Sequence, residues 1–158
     1  MPTIHLTTFI AAPAERVFDL ARSIDLHKKS MAHTSEQAVA GTTAGLIEQD
    51  ETVTWKAKHL GKTRILRVRV TQMNKPVGFT YELADGDFKS LKHVRHFKPV
   101  ENGTLMIDLL SFEIPYGAMG KLVNRLYLTN YLRKLLEHRC EVIKEYAQSE
   151  KWKFMLNK

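Results

Sequence analysis

From Thr3 to Ile10 the chain alternates. Ile4, Leu6 and Ile10 fall on one side and Thr3, His5 and Thr7 on the other, the period-two pattern of a half-buried strand. After Ala11-Ala12-Pro13 the period becomes helical: Val17, Phe18 and Ala21 share one face, Pro13 has the fixed φ suited to a first helical position, and Glu15 favours the positive end of the helix dipole. Ile24 to Met31 predicts a second short helix, with Asp25 near its start and Lys28 and Lys29 towards its end. From about Glu36, five or six strand-like segments follow. They are separated by Thr42-Thr43-Ala44-Gly45, Leu60-Gly61-Lys62, Asn74-Lys75-Pro76, Asp85-Gly86-Asp87 and Asn102-Gly103, of which Asp-Gly and Asn-Gly are strong signals of tight hairpins. An antiparallel meander is expected.

Alternation assigns the faces of these strands. Val53, Trp55, Ala57 and His59 share one face against Thr52, Thr54, Lys56 and Lys58; Leu66, Val68 and Val70 oppose Arg67 and Arg69; Phe79, Tyr81 and Leu83 form a third apolar set. In the next segment Leu91, His93, Arg95 and Phe97 are read as inward. Met106, Asp108, Leu110 and Phe112 oppose Leu105, Ile107 and Leu109, so this strand is apolar on both faces, and the second set is a candidate partner or homodimer surface. A helical pattern then runs from about Ala118 to Tyr146 or beyond, with Leu122, Leu126, Leu132, Leu135, Leu136, Cys140 and Ile143 along one side.

Composition adds limits. A chain of 158 residues is expected to be one domain, 1–158, with a core that needs no disulfide or metal staple. No apolar stretch is long enough to span a bilayer, and the N-terminus lacks the features of a signal peptide, so a cytoplasmic location is expected. The net charge of +7 is spread along strands and the last helix rather than gathered with aromatics, which reads as a solvated basic surface and not a nucleic-acid site. There is no phosphate-binding glycine loop, no Cys pair, no His-Glu-x-x-His and no Gly-x-Ser-x-Gly. His93 and His96 point to opposite faces of a strand, so no metal and no cofactor are expected, and Cys140 reads as a buried small hydrophobe.

The chemistry left is a set of polar groups on inward faces: His59, Tyr81, His93, Arg95, Asp108 and, on the long helix, Arg139. Buried charges must be paired, which predicts Asp108 beside Arg95, Arg139 or His93. Either these groups form a satisfied structural network, or they converge on a ligand within an apolar wall that includes Trp55, Phe79 and Tyr81.

The order of strand, Ala-Pro, helix, short helix, meander and long C-terminal helix resembles the START-like superfamily, also termed helix-grip or SRPBCC. "FIAAPAERVFDLARSID" is similar to its opening, and "GLIEQDETVTWKAKHLG", "FKSLKHVRHF", "NGTLMIDLLSFEIPYGAMGKLVNRL" and "LRKLLEHR" resemble a subgroup of small bacterial members loosely labelled cell division proteins. His59, Asp108 and Arg139 match that pattern, as do Pro115 and Gly117 at the turn into the long helix; Arg95 stands where the second of two histidines is carried after the one matched by His93. The resemblance implies an α+β fold in which a curved antiparallel sheet of six to seven strands grips the C-terminal helix. It also implies a cavity between them that in different members takes lipids, sterols, hormones or polyketides.

Two functions are then expected in competition. The first is binding of a small hydrophobic or amphipathic ligand, with Trp55, His59, Phe79, Tyr81, His93, Arg95, Asp108, Leu132, Leu136 and Arg139 as the ligand-binding set and an anionic group near Arg95 or Arg139. The second is a polyketide cyclase or dehydratase reaction, with His93 or His59 as base, Asp108 orienting it, and Tyr81 or Arg139 at a developing oxyanion.

Overall fold

A computed structural model describes residues 2–59, 61–114 and 122–156, and for residues 122–125 the backbone alone. Strand β1 (Thr3–Ile10) leads into helices α1 (Ala14–Ala21) and α2 (Ile24–Ser30) and a single turn of tighter helix at Ala32–Thr34. Six strands follow: β2 (Gln37–Gly41), β3 (Thr52–His59), β4 (Lys62–Asn74), β5 (Gly78–Asp85), β6 (Ser90–Val100) and β7 (Gly103–Glu113). The chain ends in α3 (Leu122–Gln148) and the short α4 (Trp152–Leu156). All seven strands form one antiparallel sheet in the order β1-β7-β6-β5-β4-β3-β2, so β1 pairs with the last strand of the meander. This is the α+β, helix-grip arrangement.

Local chemistry explains the details. Pro13 stands one position earlier than its sequence context suggests: at φ −63° and ψ 148° it caps α1, and its carbonyl accepts the first helical bond from Val17. The Ser23 side chain caps α2 by accepting from the Leu26 amide, while Asp25, expected to serve the dipole, accepts from the Gly45 amide instead. At the β6–β7 turn the two loop residues are Glu101 and Asn102, the latter at φ 67°, and Gly103 already belongs to the strand. A side chain at Gly103 would meet the Ile10 carbonyl oxygen at 2.3 Å, so the glycine serves close strand packing rather than the turn. Asp85-Gly86 does not make a tight hairpin. The connection runs wider, from Asp85 to Ser90, and brings Asp87 and Phe88 over the sheet.

The strand faces are as the alternation predicts. Ile4, Val53, Trp55, Val70, Phe97, Met106 and Phe112 are buried on the inner face, while Arg67, Arg69, Lys92 and Lys98 are exposed on the outer. Register shifts in β2 and β4 mark bulges, which bend those strands. Leu105, Ile107 and Leu109 lie half-buried on the outer face, across from Phe9, Thr7 and His5 of β1.

The inner face is divided. Over one part, α1 packs Phe18 edge-on against Phe79 and Phe97, with ring centroids 5.4 and 5.3 Å away, and α3 adds Leu136, Cys140, Ile143 and Ala147 to this core. Over the other part, the first turns of α3 stand away from the sheet. There Leu126, expected on the buried side, is 62% exposed and takes no part in the cavity, whose wall is formed instead by Leu128, Tyr131 and Leu132. The expected beginning of the helix at Ala118 and the Pro115-Gly117 turn lie outside the described residues, as does Leu60. No helix among the described residues is long and apolar enough to cross a membrane.

Candidate functional site

The open part of the inner face is a cavity of about 920 Å³ between β3, β4, β5, β6 and α3, closed at one side by α2. Its wall is mostly apolar. Trp55, Leu66 and Leu91 reach it from the sheet, Phe88 from the β5–β6 connection, and Leu132 and Leu136 from α3. Of the ten residues expected at a ligand site, seven line it: Trp55, His59, Tyr81, His93, Leu132, Leu136 and Arg139. Phe79, Arg95 and Asp108 do not. Phe79 belongs to the aromatic core under α1, and Arg95 and Asp108 are sealed behind the wall at 1% and 0% exposure.

Asp108 organises this sealed layer. Arg95 and Asp108 face each other across β6 and β7, and the Arg95 Nε donates to Asp108 Oδ1 at 2.6 Å. The same oxygen lies 2.8 Å from His93 Nε2, and Cys140 Sγ donates to Oδ2 at 3.3 Å. Burial alone would raise the Asp108 carboxyl, but the Arg95 charge and the bond from His93 hold it well below the usual carboxylate range. Burial also pushes His93 down to about 4 and, with the Asp108 charge, Cys140 up to about 12. With Asp108 ionised and His93 neutral, the His93 Nε2 carries the proton and Nδ1 keeps its lone pair.

A second polar chain lies on the cavity wall itself. Tyr131 of α3 is 2.7 Å from His59 Nδ1, and His59 Nε2 is 3.8 Å from Glu36 Oε2. The other Glu36 oxygen is hydrogen-bonded to His27 Nε2, and the His27 ring stacks on Trp55 at 4.1 Å between centroids. Ser35, at φ 56°, ends the tight helical turn just before Glu36, whose side chain is only 6% exposed. Burial would raise Glu36, yet the bonds from His27 and His59 bring it down to about 2. Burial and the Arg139 charge lower His27 to about 4 against the pull of Glu36. Glu36 is thus a carboxylate accepting from a neutral His27. Sequence patterning missed His27, Glu36 and Tyr131, because none sits at an alternating position; a lone acid next to a helix break was the signal available.

Arg139 and Tyr81, both half-buried, line the cavity without a protein partner among the described residues. Arg139 makes no hydrogen bond or ion pair with any described residue, and neither does the Tyr81 hydroxyl. Burial and the nearby Arg95 charge lower Arg139 from the ordinary arginine value, though a guanidinium remains charged. Burial pushes Tyr81 up to about 12, against the charges of Arg139 and Arg95.

No protein-family model matches the sequence, and no curated protein matches it. Solved structures do match in shape. The protein TTHA0849 from Thermus thermophilus superposes with a TM-score of 0.70 at 22% identity over 90% of this chain and 97% of that one. A START superfamily protein from Mycobacterium smegmatis gives 0.65 at 16% identity over 92% and 96%. The di-domain ARO/CYC StfQ of the steffimycin biosynthetic pathway gives 0.74 at 13% identity, over 92% of this chain and 50% of that one. With the seven-stranded sheet, the early short helices and the long α3 already described, these matches establish that the chain has the START-like, helix-grip fold.

Proposed function

We propose that this chain binds one small apolar or amphipathic molecule in the cavity between the sheet and α3. The observation that carries the reading is a space of about 920 Å³ bordered by a mainly apolar wall that includes a few polar groups. Cavities of this size and character hold drug-sized molecules, and each 100 Å² of apolar surface withdrawn from water is worth about 2.5 kcal/mol. Native mass spectrometry of freshly purified protein, followed by extraction, tests it. A stoichiometric adduct of a lipid-like, polyketide-like or aromatic molecule supports the reading, and failure of every such molecule offered at micromolar concentration to bind contradicts it.

A second reading, acid–base chemistry of cyclase or dehydratase type on the bound molecule, is favoured by one observation. His93 lines the cavity, and Asp108 fixes the tautomer that leaves Nδ1 as a base. A histidine held at about 4 is a weak base near neutrality, which places binding first. His93→Ala changes affinity modestly under the binding reading and abolishes turnover under the catalytic one.

A further inference from the structure

Arg139 raises a physical problem. A guanidinium carries five N–H donors, and this one faces a largely apolar cavity without a hydrogen bond or ion pair from any described residue. Arg139 is half-buried, so its donors reach the cavity space rather than a protein acceptor, and the two buried acids nearby are held by other partners. Asp108 is occupied by Arg95, His93 and Cys140. Glu36 is bound to His27 and faces His59. The Tyr81 hydroxyl, on the same cavity wall, also lacks a partner among the described residues, and it is held protonated at neutral pH. Tyr81, opposite His93 on the β5–β6 pair, and Arg139 of α3 line the same cavity, and the Arg139 charge acts on the Tyr81 phenol.

We infer that the ligand is a monocarboxylate with an apolar body, its carboxylate taken by the Arg139 guanidinium and the Tyr81 hydroxyl and its body lying along Trp55, Leu91, Phe88 and Leu132. The inference rests on the binding reading and names its ligand class. A carboxylate matches the planar fork of arginine in a bidentate manner, with a lone pair left for the phenol. A dianion such as a phosphate monoester fits less well, because the ionised Glu36 lines the same cavity and repels the second charge. A neutral molecule of the same length fills the apolar wall but leaves the five donors of Arg139 unpaired.

The test separates the two claims. N-phenylnaphthylamine, a neutral fluorescent probe, reports the cavity; tetradecanoate, tetradecanol and tetradecyl phosphate then compete with it at pH 8, with wild type, Arg139→Met, Arg139→Lys and Tyr81→Phe compared. Tetradecanoate is expected to displace the probe at least about tenfold more tightly than the alcohol, and more tightly than the phosphate. That preference, read as the ratio of acid to alcohol displacement within each protein, disappears in Arg139→Met, survives in reduced form in Arg139→Lys, and falls several-fold in Tyr81→Phe. Equal displacement by acid and alcohol in the wild type overturns the carboxylate inference and leaves the cavity reading intact; a preference for the phosphate overturns it in favour of a dianion. No probe binding to the wild type overturns both. Should Arg139→Met fail to fold, the wild-type series and Tyr81→Phe still decide the matter.

Discussion

Arg95 and Asp108 are opposite one another across β6 and β7, and the arginine Nε lies 2.6 Å from the carboxylate with neither side chain more than 1% exposed. Their pairing separates structure from function in this protein. Arg95 and Asp108, which read as ligand-binding residues from the sequence, hold each other, while Arg139 lines the cavity with no acid paired to it among the described residues.

A buried pair of this kind is expensive to break from one side. Asp108→Asn leaves the Arg95 charge uncompensated and is expected to cost about 3–5 kcal/mol in urea unfolding. The double variant Arg95→Met with Asp108→Leu is expected to recover part of that loss, because two apolar side chains then fill the same space while His93 stays without its acceptor. Additive losses in the double variant would contradict the account.

The pH dependence follows from groups whose values are depressed in the folded state. His27 and His93 titrate near 6.5 when unfolded and at about 4 when folded, so below 6.5 the unfolded chain binds more protons and stability falls. That contribution is complete above about pH 6.5 and is lost as pH falls towards 4, on the order of 1–2 kcal/mol per histidine by pH 5. Glu36 adds a second limb. Its contribution is complete above 4.5 and is lost as pH falls towards about 2. Urea midpoints measured from pH 8 to 4 should drop most steeply below 6.5, and His27→Gln should flatten the first limb; a flat profile down to pH 5 would refute the buried neutral histidines.

Glu36 joins the short helices to the cavity wall through His27 and His59. Glu36→Ala is expected to lower stability by about 2 kcal/mol at pH 7, as for loss of a buried charged acceptor. Glu150, exposed and paired with Lys153 on the surface, serves as control: Glu150→Ala should leave the unfolding midpoint unchanged. Equal effects from the two substitutions would remove Glu36 from the core network.

Much of this architecture could be read from the chain alone. Strict alternation in β3 and β6 separates Trp55 and His93 from Lys56 and Lys92 because a one-residue error would reverse every side chain. Alternation tells inward from outward, however, and nothing more. It cannot tell the part of the inner face covered by α1 from the part that borders the cavity, so Phe79 looks equivalent to Tyr81 although Phe18 covers only the first. His27, Glu36 and Phe88 lie on a short helix and two connections, where position depends on how elements meet and no period exists to read. Arg139 is legible in the sequence as a polar residue on an apolar helix side, but its lack of an acidic partner depends on the pairing of Asp108 with Arg95 and of Glu36 with His27, which no sequence period encodes.

Titration with N-phenylnaphthylamine of wild type against Leu132→Trp asks whether the space between the sheet and α3 takes up a small molecule. Leu132 lines the cavity and is half-buried, so a tryptophan there takes up cavity volume without displacing packed core. A binding cavity predicts saturable one-to-one fluorescence enhancement in the wild type and at least about tenfold weaker binding in Leu132→Trp, with unchanged circular dichroism. Absence of saturable binding to the wild type, or equal binding to both proteins, would contradict it.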